Sequence, residues 1–486
     1  MAAQRDPSAT ALRLRSTAMD YATLDAACAG VATTLDRRGV GGDDVVALCC
    51  GNSLATAAAY YGALRCGARV APISVASPPG EIAVALQRLR AGVVISDEEH
   101  ADIARAAIDM AATGVRLLTI SETTSRRRDW VSLPALAAHR RAAPQHLRAR
   151  APAVILATSG TTGTPRWAVH SHAGLLRNAA AVAQEMLQLG AGDVQLGALP
   201  LAHSFGMSAV LSASVMAGAS VVLMPRFDAD AAIRLIDEQR ISVVQGVPTM
   251  LSRLASASTS PPPTLRRCVV SGAPLPNGFA ARLHDRLCTD VVERYGMTEV
   301  SPLTMRTVPR DGGDVGDVGR ALRGVVVRTV DGAASGELEA SAATMLIGYH
   351  RERAATRAAL REGFFRTGDL GRVEEDGRVI LLGRLKDVIV RGGNNVAARE
   401  VEQVLEGHPD VIEVAVLGVP DPDLGEEVIA AVVSRRRGAR LIAELETRCA
   451  EQLAAYKRPR RWHRLDALPR TASGKVRKSE LRDLLG

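Results

Sequence analysis

Lysine is nearly absent from this sequence. Of its 60 basic residues only four are lysines, Lys386, Lys457, Lys475 and Lys478, and the others are arginines. Arginine and lysine differ in shape, hydration and donor geometry. A chain that uses arginine for ordinary surface charge therefore retains each lysine for a specific reason, and these four are candidates for roles that a guanidinium does not fill.

The sequence also lacks the patterns that define several other classes of protein. Its seven cysteines are odd in number and include no CxxC pair, which argues against a disulfide framework and a cysteine zinc site and favours a reducing, cytoplasmic location. Residues 1–20 contain no apolar core of signal-peptide length. The longest uncharged apolar stretch, residues 207–224, is interrupted by serine and glycine, which indicates a buried helix followed by a strand and no membrane span.

Aromatic residues are scarce as well, at 3% of the chain. The net charge of +8 comes from scattered basic runs at 126–128, 435–437 and 457–461, and a nucleic-acid-binding surface would concentrate such residues on one face. No nucleic-acid partner is expected. With 486 residues the chain is too long for one compact core, so two or more domains are expected.

Short runs rich in valine, alanine and isoleucine alternate with helical patterns as far as about residue 300, for example at 45–50, 68–73, 92–97, 153–158 and 220–224. This alternation predicts two blocks of parallel sheet flanked by helices. Residues 311–350 are glycine-rich and strand-like, which predicts a small β-barrel or hairpins. The expected fold class is α/β, with two α/β sheet subdomains and the small β-barrel in a large N-terminal domain over residues 1–384. A small α+β domain over residues 385–486 follows.

One segment predicts a hairpin in detail. DLGRVEEDGRVILLGR, residues 369–384, has Asp376 and Gly377 at the expected two-residue turn. Counting outward from that turn places Asp369 opposite Arg384 at the open end. A simple cross-strand ion pair, worth at most about 1 kcal/mol, explains this pair as well as a binding site does.

The densest run of glycine and hydroxyl residues is TSGTTGTPRWAVHSH, residues 158–172. It joins two strand-like segments, so it predicts a hairpin-like loop, and the chain has no GxxxxGK[ST] phosphate loop. Glycines let backbone amides face an anion, and threonine and serine hydroxyls add donors. By itself this run fits an ordinary loop as well as a phosphate-binding one.

An ordered set of motifs extends from residue 158 to the C-terminal region. The motifs are TSGTTGTPR (158–166), LPLAHSFGM (199–207), GVPTM (246–250), SGAPLP (271–276), ERYGMTE (293–299), FRTGDLG (365–371), GRLKDVIVRGGNNVAAREVE (383–402), GVPDPDLGE (418–426) and LPRTASGKVRKSEL (468–481). In this order the set resembles the ANL superfamily of adenylate-forming enzymes, and within it the acyl-CoA synthetases. The resemblance covers the chain from about Tyr21 to its end.

The resemblance implies a two-step ligase that uses ATP, Mg²⁺ and a thiol. A carboxylate attacks the α-phosphorus of ATP to give an acyl-adenylate and pyrophosphate, and the thiol of coenzyme A then displaces AMP. A carrier protein's phosphopantetheine is the alternative thiol. Because a carboxylate must approach a polyanion, the implied catalysis is positioning and charge neutralisation.

The family's nucleotide site carries over to matching positions of this sequence. Thr158 and Glu299 would hold the magnesium, Thr298 the α-phosphate and Asp369 the ribose with help from Arg384. Tyr295 would stack on adenine, opposite Ser271, Gly272 and Ala273. The other residues assigned to cofactor binding by this resemblance are Ser159, Gly160, Thr161, Thr162, Gly163, Arg166, Gly296, Met297, Lys386, Gly392 and Gly393.

The resemblance also assigns roles in catalysis and in the acyl pocket. Lys475 matches a mobile catalytic lysine that bridges the substrate carboxylate and the α-phosphate, and Lys386 matches the hinge of a mobile C-terminal lid domain. Gly392 and Gly393 would border the pantetheine tunnel. His203 would gate the acyl pocket, although a buried, satisfied histidine explains it too. The residues expected to line this pocket are His203, Ser204, Phe205, Gly246, Val247 and Pro248.

One position narrows the choice of substrate, and one departure from the family pattern leaves a question. Adenylation domains for α-amino acids have an aspartate after the aromatic residue of the second motif, and this chain has Gly206, which favours a neutral carboxylic acid. The family usually has Lys-Gly where this chain has Arg166 and Trp167. Arg166 fits the chain's general replacement of lysine, whereas nothing in the sequence explains Trp167. A luciferase-like oxygenase and a degenerate nucleotide-binding scaffold are the remaining alternatives.

Overall fold

The computed structural model describes residues 6–123, 130–138, 147–158, 165–275, 278–288, 290–436, 438–470 and 476–485. Within these residues strands and helices alternate as far as residue 297, as the sequence predicts. Antiparallel strands follow, and a third unit of mixed strands and helices begins at residue 388.

The first part of the chain contains nine strands and five helices in the described residues. The strands are β1 (Thr10–Leu14), β2 (Thr17–Asp20), β3 (Val45–Cys49), β4 (Arg69–Pro72), β5 (Val93–Asp97), β6 (Arg116–Ser121), β7 (Trp130–Ser132), β8 (Pro152–Thr158) and β9 (Arg166–Ser171). The helices are α1 (Tyr21–Asp36), α2 (Leu54–Arg65), α3 (Pro79–Leu89), α4 (Ala101–Ala111) and α5 (Leu133–Ala137).

The middle part carries the longest succession of strands. These are β10 (Val194–Gly197), β11 (Ser220–Leu223), β12 (Val243–Gly246), β13 (Arg267–Val270), β14 (Val291–Met297), β15 (Val300–Thr307), β16 (Asp317–Ala321), β17 (Val326–Thr329), β18 (Gly336–Ser341), β19 (Gly348–Tyr349), β20 (Leu360–Arg361), β21 (Phe364–Val373) and β22 (Arg378–Arg384). The helices are α6 (His172–Ala180), α7 (Ala213–Ala217), α8 (Ala229–Glu238), α9 (Pro248–Ala257), α10 (Phe279–Arg286) and α11 (Arg353–Ala359), with π-helical segments at Ala181–Met186 and Phe205–Ser212.

The last part forms a smaller unit. Its strands are β23 (Val388–Arg391), β24 (Asn394–Ala397), β25 (Val411–Asp421), β26 (Gly425–Ser434) and β27 (Arg461–Arg464). Its helices are α12 (Ala398–Glu406), α13 (Ala439–Gln452) and α14 (Lys478–Leu485), and short 3-10 turns lie at Leu385–Asp387 and Ala455–Lys457.

The described strands form three sheets. The first has the order β19-β9-β8-β4-β3-β5-β6-β7, and the second has the order β17-β18-β21-β22-β16-β15-β14-β13-β12-β10-β11-β1-β2, with β20 on β21. The strands predicted as a small barrel are antiparallel and continue the ladder of the second sheet through β15 and β16. The third sheet, β24-β23-β26-β25 with β27 on β26, contains only strands after residue 387.

Two helices lie between the first and second sheets. Side chains of α1 and α2 pack in one apolar cluster with Leu48 of β3 and Leu223 of β11, so α2 is buried on nearly every side. Ser53 caps α2 by accepting from the Thr56 amide. The Asn52 amide group donates to Gly197, Leu199 and Met224 carbonyls at 3.0–3.1 Å, which ties the first sheet to the second. The apolar interior is thus shared between the two sheets.

The hairpin of β21 and β22 confirms the predicted pair but corrects the turn. Asp369 lies opposite Arg384, as expected. The turn, however, is one residue longer than predicted, since the Glu374 amide donates to the Arg378 carbonyl and Gly377 adopts a φ of +83°. A register shift between Leu370 and Gly371 compensates for the extra residue. The prediction of the pair was therefore right because two local irregularities cancel.

The apolar stretch at 207–224 forms the π-helical segment, α7 and β11, as a buried helix followed by a strand. Among the described residues, every helix is too short or too polar to span a bilayer.

Candidate active site

The most closely connected group of predicted site residues is Tyr295, Asp369 and Arg384. They come from β14, β21 and β22. The Tyr295 hydroxyl donates to Asp369 Oδ2 at 2.7 Å, and Arg384 Nε lies 3.0 Å from Asp369 Oδ1. Burial and the Asp369 carboxylate raise the pKa of Tyr295, so its hydroxyl stays protonated and remains a donor. A carboxylate accepts about four hydrogen bonds, and Asp369 retains capacity for ligand hydroxyls.

The turn before Asp369 fixes the direction of its carboxylate. The Thr367 hydroxyl accepts from the Asp369 amide at 3.1 Å and donates to the Leu338 carbonyl at 2.7 Å. Gly368 has a φ of +70°, a left-handed conformation that favours glycine. The conformation of this turn therefore favours threonine, glycine and aspartate in this order, apart from any role of the aspartate in the site.

Glu299 and Thr298 lie in the turn between β14 and β15, and two neighbouring strands hold this turn. The Tyr349 hydroxyl donates to Glu299 Oε1 at 3.1 Å. On the other side, His170 Nε2 donates to the Thr298 carbonyl at 2.9 Å. Burial lowers the pKa of His170, so the neutral ring makes this bond near pH 7. The preceding Gly296 lies against Ser301, since an added Cβ would come within 3.0 Å of the Ser301 hydroxyl.

Thr158 and Arg166 are cross-strand partners at the loop end of the antiparallel β8–β9 pair, so the predicted loop joins two antiparallel strands, as expected. The Arg166 guanidinium lies over the Tyr349 ring, 5.5 Å from its centroid, and Arg166 Nε is 3.8 Å from Glu352 Oε2. Arg166 therefore connects the loop to Tyr349, the residue that contacts Glu299.

The structure explains Trp167, which the sequence did not. Successive side chains of a strand point to opposite faces. Arg166 faces Tyr349, and Trp167 faces the other side, where it packs in an apolar cluster with Ile155 and residues of α3 and α4. Only 5% of the Trp167 surface is exposed. The indole at this glycine position fills the space between the first sheet and its helices.

We expect Trp167→Gly to destabilise the fold strongly. Removing a buried indole leaves a cavity that costs roughly 3–5 kcal/mol, and glycine in a strand adds to this loss. The midpoint of thermal unfolding, measured by calorimetry without nucleotide, should fall by several degrees. Arg166→Lys, on the opposite face of the same strand, serves as the control and should melt close to the wild type. An unchanged midpoint for Trp167→Gly would contradict the assigned packing.

The predicted adenine-binding and acyl-pocket segments meet at the ends of β12 and β13. An added Cβ on Gly272, whose φ is +92°, would lie 3.5 Å from Val247 Cγ1. The Ser271 hydroxyl donates to the Arg294 carbonyl at 3.0 Å, which joins this segment to β14. Ala273 follows in the same loop. Gly246 and Pro248 flank Val247 at the start of α9.

The other predicted pocket residues begin the π-helical segment. His203, Ser204 and Phe205 are half-buried, and the Met207 amide donates to the His203 carbonyl. Gly206 is required by packing, because a Cβ there would come within 2.3 Å of the Pro200 carbonyl oxygen. Packing by itself therefore excludes an acidic side chain at position 206.

Arg294, which sequence reasoning did not select, lies against Phe205. Its guanidinium carbon is 4.4 Å from the Phe205 ring centroid, and Nη2 donates to the Ser301 hydroxyl at 3.0 Å. Nε and Nη1 are buried without a hydrogen-bond partner in the described part of the chain. Burial lowers the pKa of Arg294 to about 10, so the side chain is charged near neutral pH. The signal in the sequence was a basic residue inside the buried strand VVERYG.

The four lysines divide into two groups. Lys457 Nζ lies 2.6 Å from Glu400, and Lys478 Nζ lies 2.6 Å from Glu402, so these two form ion pairs within the third unit. Lys386 lies in the 3-10 turn immediately after β22, next to Arg384. Lys475 lies outside the described residues.

Gly392 and Gly393, which were also predicted to belong to the site, lie in the third unit of the chain. Gly392 and Gly393 form the turn between β23 and β24 with positive φ, and the Gly392 amide donates to the Leu424 carbonyl at 2.8 Å. Met297 pairs with Val300 across the β14–β15 turn. The loop positions Ser159, Gly160, Thr161, Thr162 and Gly163 lie outside the described residues, as Lys475 does.

The donors at this site suit a magnesium ion that is shared with a phosphate. Glu299 and Thr158 offer hard oxygen ligands of the kind that Mg²⁺ prefers. Within the described ranges no cluster of three or more histidine, cysteine or acidic side chains forms a complete cage for a metal. Mg²⁺ in nucleotide sites usually takes one or two protein ligands and completes its shell with phosphate oxygens and water, so these residues fit it.

Comparison with known proteins identifies the class. The chain matches the family model of AMP-binding enzymes over residues 1–350 and that of the AMP-binding enzyme C-terminal domain over residues 400–475. It is 33% identical to a feruloyl-CoA synthase of an Amycolatopsis species, in an alignment that covers 100% of this chain and 97% of that protein. It is 32% identical to a sulfoacetate–CoA ligase of Cupriavidus necator, with coverage of 91% and 88%.

Solved structures agree. The crystal structure of ATP-bound MatB from Rhodopseudomonas palustris superimposes with a TM-score of 0.87 at 32% identity, covering 99% of this chain and 96% of that one.

The fold and the relatives together define an adenylate-forming enzyme, and the chain belongs to the AMP-binding enzyme family, as the motif order predicts. Within that family it is an ATP-dependent acyl-CoA ligase, which activates a carboxylic acid as acyl-AMP and transfers the acyl group to coenzyme A.

Proposed function

We propose that the cluster around Tyr295, Asp369 and Arg384 binds the adenosine part of ATP. Asp369 would accept hydrogen bonds from the ribose hydroxyls, because its carboxylate is fixed by two donors and retains acceptor capacity. Tyr295 would present its ring to adenine while its hydroxyl holds Asp369. Ser271, Gly272 and Ala273 would face the other side of the base.

The same proposal assigns the phosphates to the β8–β9 loop and to the Met-Thr-Glu turn. Thr158 and Glu299 would hold a magnesium ion, which when bound neutralises phosphate charge. In the first step a carboxylate oxygen bonds to the α-phosphorus as the bond to the pyrophosphate oxygen breaks. Thr298 and Lys475 would contact the α-phosphate and reduce the repulsion between the two anions. In the second step the sulfur of coenzyme A bonds to the acyl carbon and AMP leaves.

We further propose that the acid carries a second anionic group, which differs from the neutral acid expected from the sequence. The supporting observation is Arg294, a buried cation beside Phe205 with two donor atoms that have no described partner. Leaving a buried charge without a counter-ion costs several kcal/mol. The carboxylate before it in the sequence, Glu293, is engaged with Arg306 at 2.8 Å. An anion of the substrate would supply the missing partner.

One of the relatives acts on such a substrate. The Cupriavidus necator ligase acts on sulfoacetate, which carries a sulfonate in addition to its carboxylate. Arginine also suits this role, because its planar fork matches the oxygens of a carboxylate or sulfonate.

A panel of acids tests this proposal. We expect ATP–pyrophosphate exchange to be faster with short acids that carry a second carboxylate or a sulfonate than with monocarboxylates of equal length. Arg294→Met should lower kcat/KM for the dianionic acids by roughly 10- to 100-fold, as expected for losing a hydrogen-bonded charge, and should lower it much less for monocarboxylates.

The matched control is Arg328→Met. Arg328 also stacks on a phenylalanine, with its guanidinium carbon 3.8 Å from the Phe364 ring centroid, but it belongs to β17 and not to the predicted acyl pocket. Its acid preference should equal that of the wild type. Unchanged ATP affinity in Arg294→Met, measured by calorimetry, would show that the variant is folded. A wild type without preference for dianionic acids, or an unaltered preference in Arg294→Met, would refute the proposal.

The acyl pocket would be lined by His203, Ser204, Phe205, Val247 and neighbouring residues, and Lys386 would be the hinge of a mobile domain over residues 385–486. Replacing coenzyme A by a holo carrier protein in the assay tests the alternative thiol. A cytoplasmic location is supported by the seven cysteines, all of which are free and buried.

A further inference from the structure

Tyr349 contacts two predicted parts of the nucleotide site, Glu299 on one side and Arg166 on the other. It lies on β19, which pairs with β9 so that Tyr349 is opposite Ala168. Its ring packs in an apolar cluster with Ala168, Val300 and Leu303 and is 8% exposed. Its hydroxyl donates to Glu299 Oε1 at 3.1 Å. A rigidly held ring thus directs one hydroxyl at one oxygen of the carboxylate that is proposed to hold magnesium.

Arg166 holds the same ring from the side of the phosphate loop. Its guanidinium lies over the Tyr349 ring at 5.5 Å, and Glu352, three residues after Tyr349, lies 3.8 Å from Arg166 Nε. Glu352 in turn contacts Arg88 of α3 at 3.3 Å. Because a planar guanidinium stacks on an aromatic face and a lysine ammonium does so less well, arginine at position 166 suits this arrangement.

The hydrogen bond also limits how Glu299 can bind a metal. With Tyr349 donating to Oε1, that oxygen has one fewer lone pair for a cation, and the carboxylate cannot rotate without breaking the bond. Outer-shell hydrogen bonds of this kind orient metal ligands, and their loss typically weakens metal binding 10- to 100-fold.

We propose that Tyr349 is a positioning residue for Glu299, and that Arg166 holds the Tyr349 ring and so couples the phosphate loop to the magnesium ligand. This inference rests on the proposed magnesium role of Glu299. In this proposal Tyr349 acts only through the orientation of the Glu299 carboxylate.

Calorimetric titration of the full-length protein with ATP, without any acid, tests this without turnover. The dissociation constant of ATP is measured in EDTA and again in saturating Mg²⁺. The ratio of the value in EDTA to the value in Mg²⁺ gives the stabilisation of ATP binding by the metal. Tyr349→Phe keeps the ring under Arg166 and removes only the hydroxyl. We expect it to reduce this ratio about tenfold while the dissociation constant in EDTA stays at the wild-type value.

Two further variants make the result decisive. Tyr61→Phe removes another half-buried tyrosine hydroxyl, which lies 3.4 Å from Ser212 between the sheets, and should leave the ratio unchanged. Glu299→Gln should abolish most of the magnesium effect. If Glu299→Gln lowers the ratio and Tyr349→Phe does not, the role of Tyr349 is refuted although the proposed site stands. If the wild type shows no magnesium dependence, or if Glu299→Gln keeps the wild-type ratio, the proposed metal role of Glu299 fails and this inference fails with it.

Discussion

Lys475→Ala is expected to lower the rate of acyl-adenylate formation by about 10²–10³-fold, the range found when one preorganised donor to a developing charge is removed. Its ammonium would be needed when the carboxylate and the α-phosphate come together. Thioester formation from acyl-adenylate that is supplied in the assay should decrease far less. Single-turnover measurements of the two half-reactions provide the test.

Lys478→Ala is the matched control. Lys478 lies three residues further on, and its ammonium is paired with Glu402 at 2.6 Å, so it has a structural partner. Its loss should leave the ratio of the two half-reactions unchanged. An equal loss of both half-reactions in Lys475→Ala would contradict the proposed role.

Asp369→Ala is expected to raise the dissociation constant for ATP by roughly 10²–10⁴-fold. The variant would lose two hydrogen bonds to the ribose, each made by a charged group and worth about 1.5–3 kcal/mol. It would also leave the Arg384 guanidinium and the Tyr295 hydroxyl without the partner they now have. Calorimetric titration with ATP measures the loss.

Asp376→Ala in the turn of the same hairpin is the control, since Asp376 is exposed and contacts Arg320 and Arg378. It should bind ATP normally. Tyr295→Phe should have a smaller effect than Asp369→Ala, because the ring and the carboxylate both remain. ATP binding by Asp369→Ala close to that of the wild type would show that the nucleotide lies elsewhere.

The hairpin at 369–384 was predicted correctly in its strands but not in its turn. The alternation of residues and the Asp-Gly pair were sufficient to predict two antiparallel strands. They did not reveal the longer turn or the compensating register shift near Gly371, because both depend on contacts with other strands. The pairing of Asp369 with Arg384 was nevertheless correct, which places the two groups at one point of the site.

Arg294 and Tyr349 could not be identified from the sequence pattern. In the sequence Arg294 is one of many arginines, and Tyr349 stands 50 residues after the glutamate that it contacts. A buried charge without a counter-ion among the described residues and a hydrogen bond between distant strands are both properties of packing. No local pattern encodes either of them, so both residues were missed.

The sequence alone determined the class of this protein: the ordered motifs, the two blocks of alternating strands and helices, and the scarcity of lysine that drew attention to Lys475. These are encoded locally, in residue type and spacing. Only the tertiary structure decided what Arg166 and Trp167 do. Adjacent residues of a strand face opposite sides, so one side chain stacks on Tyr349 near the site while its neighbour fills the core beneath the first sheet.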